Sequence, residues 1–511
     1  MIKKIINNVL LGLSSIFLGY VLIIMWNAPK IVNGQINNYV VEFCSALAIA
    51  FVFFVYTIFS KKQIKFMTLS DAKFILVLIS AVTFPRLLWI FNTDIPPISD
   101  FNLYHTTATE FLTGDISQKG YVEIFPHVIG YPYVLSFVYR IFGAKVIAGQ
   151  LFNVLCSCVT SVLMYGIAKS FLKINYARVC ALICGLWVSQ IFYVTLISTE
   201  ALYTTLTTLS VFLFTKTLKN NNKYIVILLF ISCGIFASFA NAIRPLALIF
   251  VIAVILYTVL FNFKYERSTK LIGLISMVIM FSTVNHVISA SIEKVIGMPP
   301  AKNSFGYTFL VGSNSSSNGG WNKEDADYLF SLYNSKKYTM KEIDSMLVKR
   351  ALERIQQNIP GAANHYINKN QNIWASDSYG VYWNKLSVET TKGQDSWKSR
   401  DILYFFLSEM FYAFILILSL AGCIISLYKR EQCSIIFIIL MLLGYISAYM
   451  LTEVQARYHY PALSLLAICA AYGIQQITHL YKNSLVKQNI TGRIETEVSH
   501  NISKISVSLE E

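Results

Sequence analysis

Charged residues are scarce in this chain. Only 14% of its 511 residues are Asp, Glu, Lys or Arg, against 55% hydrophobic residues, a balance that excludes an ordinary soluble globular domain. Cysteine is absent from the one long polar stretch, residues 291–400. All nine cysteines (Cys44, Cys156, Cys158, Cys180, Cys184, Cys233, Cys423, Cys433, Cys469) fall in or beside apolar runs. That stretch therefore has no disulfide staple, and no zinc-type spacing appears. No internal repeat is visible, so the sequence sign of many transporters is missing. The net charge of +15 comes from short basic clusters between apolar runs, a pattern that speaks for membrane topology rather than nucleic acid.

What is abundant is apolar sequence in runs of about 17 to 25 residues, the length that crosses a bilayer. About twelve such spans are expected, near 5–26, 40–59, 73–91, 146–168, 178–197, 200–217, 223–241, 245–262, 271–290, 401–428, 433–452 and 459–479. The first follows "MIKK" but lacks an A-x-A-like cleavage site, so it reads as a retained anchor. The segment "IGYPYVLSFVYRIFG" (129–143) is too short. At 1.5 Å per residue it covers about 22 Å of a core of about 30 Å. Laying it along the outer membrane surface moves Lys169, Lys173, Arg178, Lys216, Lys219, Lys223, Lys264, Arg267 and Lys270 to the cytoplasmic side. There they join Lys3, Lys4, Lys61, Lys62, Lys65, Lys429 and Arg430, as the positive-inside rule asks. Both termini are then cytoplasmic.

The expected domain plan follows. Residues 1–69 hold two N-terminal transmembrane helices, and 70–290 a transmembrane core with a first external loop at 92–145. The stretch 291–400 forms an extracytoplasmic soluble domain, mixed α/β or mainly α. Residues 401–479 return to the membrane, and 480–511 form a cytoplasmic tail expected to be largely disordered. Within the external domain, "TMKEIDSMLVKRALERIQQNIPG" predicts a helix opened by a Thr339/Glu342 capping box and closed at Pro360-Gly361.

On the expected outer face several residues could carry chemistry. Asp100 opens "DFNLYHTTATEFLTG", where Phe101, Tyr104, Ala108, Phe111 and Leu112 form an apolar stripe and Asn102, His105, Thr109 and Glu110 face away, the pattern of an interfacial helix. Locally, Ser99 or Asp100 is an ordinary N-cap, and Asp94 a turn residue before Pro96. Arg244 in "NAIRPL" lies at a span end, where a guanidinium either snorkels or meets an anion. Arg457 in "EVQARYHYP" repeats the situation, with Glu453 and His459 beside it and Glu453 at the spacing of a local ion pair. Glu200 in "STEAL" could cap its helix with Ser198 or Thr199, and Lys369 is by default a solvated lysine. A carboxylate beside a pair of arginines is the equipment for glycosyl transfer from a lipid phosphate: a base for the acceptor hydroxyl and cations for the departing phosphate.

From about residue 70 to 479 the sequence resembles the bacterial GT-C-fold glycosyltransferases, the group of the protein O-mannosyltransferases and the aminoarabinose transferase of lipid A. The matching pieces are "PRLLWIFNTDIPPISDFNLYHTTATEFLTG", "YVEIFPHVIGYPYVLSFVYRIFG", "LFNVLCSCVTSVLMYGIAKSF", "STEALYTTLTTLSVFLF", "ANAIRPLAL" and "EVQARYHYPALSLLAICAAYGI". The resemblance implies a polyprenyl-phosphate-linked sugar donor and transfer outside the cytoplasmic membrane with inversion. It places the catalytic base at Asp100 and the lipid-phosphate ligands at Arg244, Arg457 and Lys369. Asp94, Tyr104, His105, Glu200, Glu453 and His459 are supporting candidates. Phe101 stands where many relatives carry a second acid, so no two-carboxylate metal site is expected and no cofactor is required.

The expected function is thus an integral-membrane glycosyltransferase of a bacterial cytoplasmic membrane. It would act on an extracytoplasmic glycan, lipid or protein acceptor. The alternatives are a lipid-linked oligosaccharide ligase or polymerase, and a polytopic transporter or flippase.

Overall fold

The computed structural model describes residues 2–27, 31–32, 35–36, 68–261, 265–297, 305–393, 401–430 and 433–507. The expected span at 40–59, with Cys44, and the basic residues Lys61, Lys62, Lys65 and Lys264 lie outside them. Apart from a two-residue pairing of Ile31–Val32 with Gln35–Ile36, the described elements are helices.

Among the described residues, seven helices are long and apolar enough to cross a membrane, and Ile174–Gly185, Leu248–Leu260 and Ile436–Leu451 are shorter apolar ones. The chain is a multi-pass membrane protein. The helix Thr199–Lys219 belongs to neither group, because its threonines dilute its apolar character; Thr204, Thr207 and Thr208 are buried in the bundle.

The expected span at 178–197 is not one helix. It breaks into Ile174–Gly185 and Val188–Tyr193, followed by an irregular stretch up to Thr199. Irregular backbone at such a depth persists only where protein groups take up its carbonyls, and they do so here. Arg86 donates to Gly185 O at 2.6 Å, Asn384 to Phe192 O at 2.8 Å, and Asn153 to Val194 O and Leu196 O at 3.0 and 2.8 Å. Arg86 itself is fully buried. The negative end of the Ile174–Gly185 helix dipole favours a cation at that place.

The short segment at 129–143 becomes the 13-residue helix Gly130–Phe142, about 20 Å long and short of a bilayer core. It buries Tyr131, Leu135 and Tyr139 and exposes Tyr133, Phe137, Ile141 and Phe142. It packs against Ser99–Thr113, and His105 Nδ1 lies 2.6 Å from the Tyr139 hydroxyl between them.

Residues 305–393 are helical throughout their regular elements, with Leu310, Leu329, Ile343, Leu347 and Ala351 at their centre. The capping box forms as expected: Thr339 N–H donates to Glu342 Oε2 at 2.8 Å, and Glu342 N–H to Thr339 Oγ1 at 3.3 Å. The first helix, Ile2–Asn27, lies along Asp401–Lys429 and reaches this polar part. The Phe17 ring packs edge-on against Trp374, and the Tyr20 hydroxyl donates to Ile367 O. The last described helix runs from Tyr460 to Val507. No proline follows Pro461 in it.

Candidate active site

Four chain segments distant in sequence meet where helices begin and end. The helix Ser99–Thr113 starts without a side-chain cap: its N-cap is Ile98, and Ser99 has φ +51°. A serine in the left-handed region is strained, and the next residue, Asp100, lies in the first turn of this helix. The N-cap explanation of Ser99 and Asp100 therefore fails. Asp100 Oδ2 accepts a hydrogen bond from Arg457 Nη2 at 2.6 Å.

Arg457 sits on the 3-10 turn Ala456–His459, just before the last long helix. Its Nε is 3.8 Å from Glu200 Oε1. Glu200 is fully buried in the first turn of Thr199–Lys219, where the helix dipole favours an anion. Ser198, the N-cap, makes no side-chain cap bond, while Thr199 Oγ1 donates to Glu200 Oε2 at 3.3 Å. The same Oε1 receives Arg244 Nη1. Arg244 is the C-cap of Lys223–Ile243 and meets an anion instead of snorkelling.

Tyr458, which sequence reasoning passed over, packs its ring against both guanidinium groups, with centroids 4.6 Å from Arg244 and 5.7 Å from Arg457. A ring face there holds two cations side by side without adding charge. His127 was also missed; burial, with Arg244 nearby, pushes its imidazole down to about 4.

The remaining expected residues stand around this cluster in different ways. Glu453 does not pair with Arg457. It accepts from Gln455 Nε2 at 3.1 Å and from the Tyr458 hydroxyl at 3.4 Å, and burial pushes its carboxyl up. Its backbone N–H donates to Thr308 O at 2.7 Å, tying this loop to the 305–393 part. His459 is buried between the Trp374 and Tyr412 rings; Nε2 lies 3.0 Å from Asp377 Oδ1 and Nδ1 2.5 Å from Ile373 O. Asp377 also accepts from Trp187 Nε1 and Ser189 Oγ at 2.6 and 2.7 Å, which fixes the broken-helix stretch ahead of Glu200.

Lys369 is not solvated: it is 2% exposed, and its Nζ donates to Gly312 O and Met450 O at 2.8 and 3.1 Å. Burial pushes its ammonium down to about 7. Gly319, at φ +72°, leaves room for the lysine stem, which a Cβ would meet at 2.9 Å. Asp94 points to Lys392 Nζ at 2.8 Å, with 85% of its side chain exposed. Tyr104 is buried against the Tyr131 ring, and His105 is engaged with Tyr139. The structure thus brings Asp100, Glu200, Arg244 and Arg457 together, and ties Lys369, Asp94 and His105 to other partners. Among the described residues no group of three or more potential metal ligands forms.

Over about a third of its length the chain is similar to a family of glycosyltransferases. The matching family is described as dolichyl-phosphate-mannose-protein mannosyltransferase, and its model covers residues 126–287. That interval contains Glu200 and Arg244 and excludes Asp100 and Arg457. No curated protein matches the sequence significantly. Among solved structures, the chain is similar to an oligosaccharyltransferase from Archaeoglobus fulgidus, determined with zinc and sulfate, at 10% identity and a TM-score of 0.45 over 78% of this chain and 48% of that one. A second similarity is to the oligosaccharyltransferase AglB of the same organism, in complex with an inhibitory peptide and a dolichol-phosphate, at 10% identity and a TM-score of 0.38 over 79% and 50% of the two chains. The chain spans about half the length of those proteins.

Proposed function

We infer that the protein transfers a sugar from a polyprenyl-phosphate-linked donor to a hydroxyl of an extracytoplasmic acceptor, with inversion at the anomeric carbon. The observation that carries this reading is the convergence of Arg244 and Arg457 beside Asp100. The two guanidinium groups are the phosphate ligands. Arginine matches phosphate oxygens geometrically and stays charged, so it stabilises the charge that builds on the phosphate as the glycosidic bond breaks. Asp100 is the general base. Its contact with Arg457 is made in the free protein; with a phosphate on Arg457 the carboxylate turns to the acceptor hydroxyl and takes its proton as the oxygen attacks.

Lys369 acts differently from the phosphate ligand that the resemblance implies. With two carbonyl partners it holds helix Ala362–Trp374 against the end of Ile436–Leu451, and so supports the clamp without touching the donor. The site would face outward, with the termini and the basic clusters on the cytoplasmic side. The test is transfer from a purified polyprenyl-phosphate-hexose in nanodiscs, followed by mass spectrometry of the released polyprenyl phosphate. Release that depends on acceptor in the wild type and disappears in Arg457→Gln is the expected result. Lipid movement between leaflets without any release of phosphate would replace this reading with transport.

A further inference from the structure

The counter-charge on the two arginines is held in two different ways. Glu200 is fully buried and receives Arg244 on Oε1, with Arg457 Nε at 3.8 Å from the same oxygen. Asp100 is 45% exposed in its side chain and touches only one of the two, Arg457. One carboxylate is therefore built into the clamp, and the other is free to leave it. The third acid nearby, Glu453, bonds Gln455 and Tyr458 rather than an arginine. The Tyr458 ring contributes no charge.

Two guanidinium groups carry two positive charges at any working pH. Glu200 cancels one of them permanently. Once Asp100 turns to the acceptor, a single net positive charge faces the ligand. A sugar linked to lipid through one phosphate is a phosphodiester with one negative charge; a sugar linked through diphosphate carries two. In a buried site an unmatched charge is poorly screened and discriminates strongly.

We propose that Glu200 is a specificity-determining residue: by fixing the residual charge of the Arg244–Arg457 clamp at one, it selects donors linked through a single phosphate over diphosphate-linked donors. The proposal rests on the lipid-phosphate reading given above. The charges also balance across the reaction. The acceptor O–H proton passes to Asp100, its oxygen forms the new bond to the anomeric carbon, and the old bond breaks with its electron pair on the phosphate oxygen. The phosphate gains one negative charge as Asp100 loses one, and Glu200 stays unchanged.

Sugar-free probes isolate charge from sugar recognition: a polyprenyl methyl phosphate, singly charged, and a polyprenyl methyl diphosphate, doubly charged, of equal chain length. Their affinities are measured on the full chain in nanodiscs. The wild type is expected to bind the monophosphate at least about tenfold more tightly, and Glu200→Gln to shrink that ratio by about tenfold. A merely structural role for Glu200 would weaken both lipids equally and leave the ratio where it was. Because Glu200→Gln leaves two buried cations short of an anion, the double variant Glu200→Gln/Arg244→Gln serves as the second arm. It removes one charge of each sign, so the wild-type ratio is expected to return. A wild-type preference for diphosphate, an unchanged ratio in Glu200→Gln, or a double variant that behaves like the single one overturns the proposal while the lipid-phosphate reading stands. Failure of the wild type to bind either lipid overturns both.

Discussion

Arg457 Nη2 and Asp100 Oδ2 stand 2.6 Å apart, although 357 positions separate them in the chain. The contact holds the Asp100 carboxylate on Arg457, so in the proposed mechanism the base and the clamp are assembled together. Asp100→Asn preserves size and a hydrogen-bonding oxygen but cannot take a proton. Transfer should fall by about 10²–10⁴-fold, the usual weight of a general base. Because Asp100 is half-exposed, thermal stability in detergent should change little. Turnover near the wild-type level in a folded Asp100→Asn protein would falsify the assignment.

Lys369 gives a pH signature. Its ammonium titrates at about 7 in the folded protein and at about 10.4 when unfolded. Between those values the unfolded chain holds a proton that the folded chain has shed, so this residue's contribution to stability rises with pH across that window. Below about pH 7 both forms are charged, and the slope vanishes. Lys369→Met removes the titration. The melting temperature of the wild type minus that of Lys369→Met should therefore grow from pH 7 to 10. A flat difference would show that the ammonium stays charged on its two carbonyls.

Asp377 ties together His459, Trp187 and Ser189. Asp377→Ala leaves all three donors buried without their acceptor, a loss of about 3–5 kcal/mol for a broken buried pair. We expect a large drop in melting temperature. In whatever folded fraction remains, KM for the donor should rise, because the turn that His459 anchors also carries Arg457. Unchanged stability would mean that the donors find other partners.

Asp94 makes an exposed pair with Lys392, and such pairs contribute between 0 and about 1 kcal/mol. Asp94→Asn should stay within about 0.5 kcal/mol of the wild type and keep transfer within about twofold, as fits a residue whose partner lies away from the arginines. A loss of transfer comparable with Asp100→Asn would return Asp94 to the site.

The bundle was legible because span length and apolar runs are local properties: seven of the eleven described spans expected from the sequence are helices long and apolar enough to cross a membrane, whereas 245–262 and 433–452 hold shorter helices, 200–217 is diluted by threonine and 178–197 breaks. That break depends on Arg86, Asn153 and Asn384 arriving from other segments, which no local pattern announces. Partner choice was hidden for the same reason. The spacing of Glu453 and Arg457 suits an ion pair only on a continuous α-helix. Here residues 452–455 precede a 3-10 turn, so Arg457 faces Asp100 and Glu200 instead. The burial of Lys369 likewise comes from Gly312 and Met450, far away in sequence. Residue types at the site could be read from the chain, but their pairings required the fold.

The long separation between Asp100 and Arg457 also bears on how the protein is made. The carboxylate is synthesised and inserted early; its arginine emerges only with the final helix. On the proposed mechanism the nascent chain until then has a base and no complete clamp, so an unfinished or C-terminally truncated product sitting in the membrane would have no means of spending lipid-linked sugar.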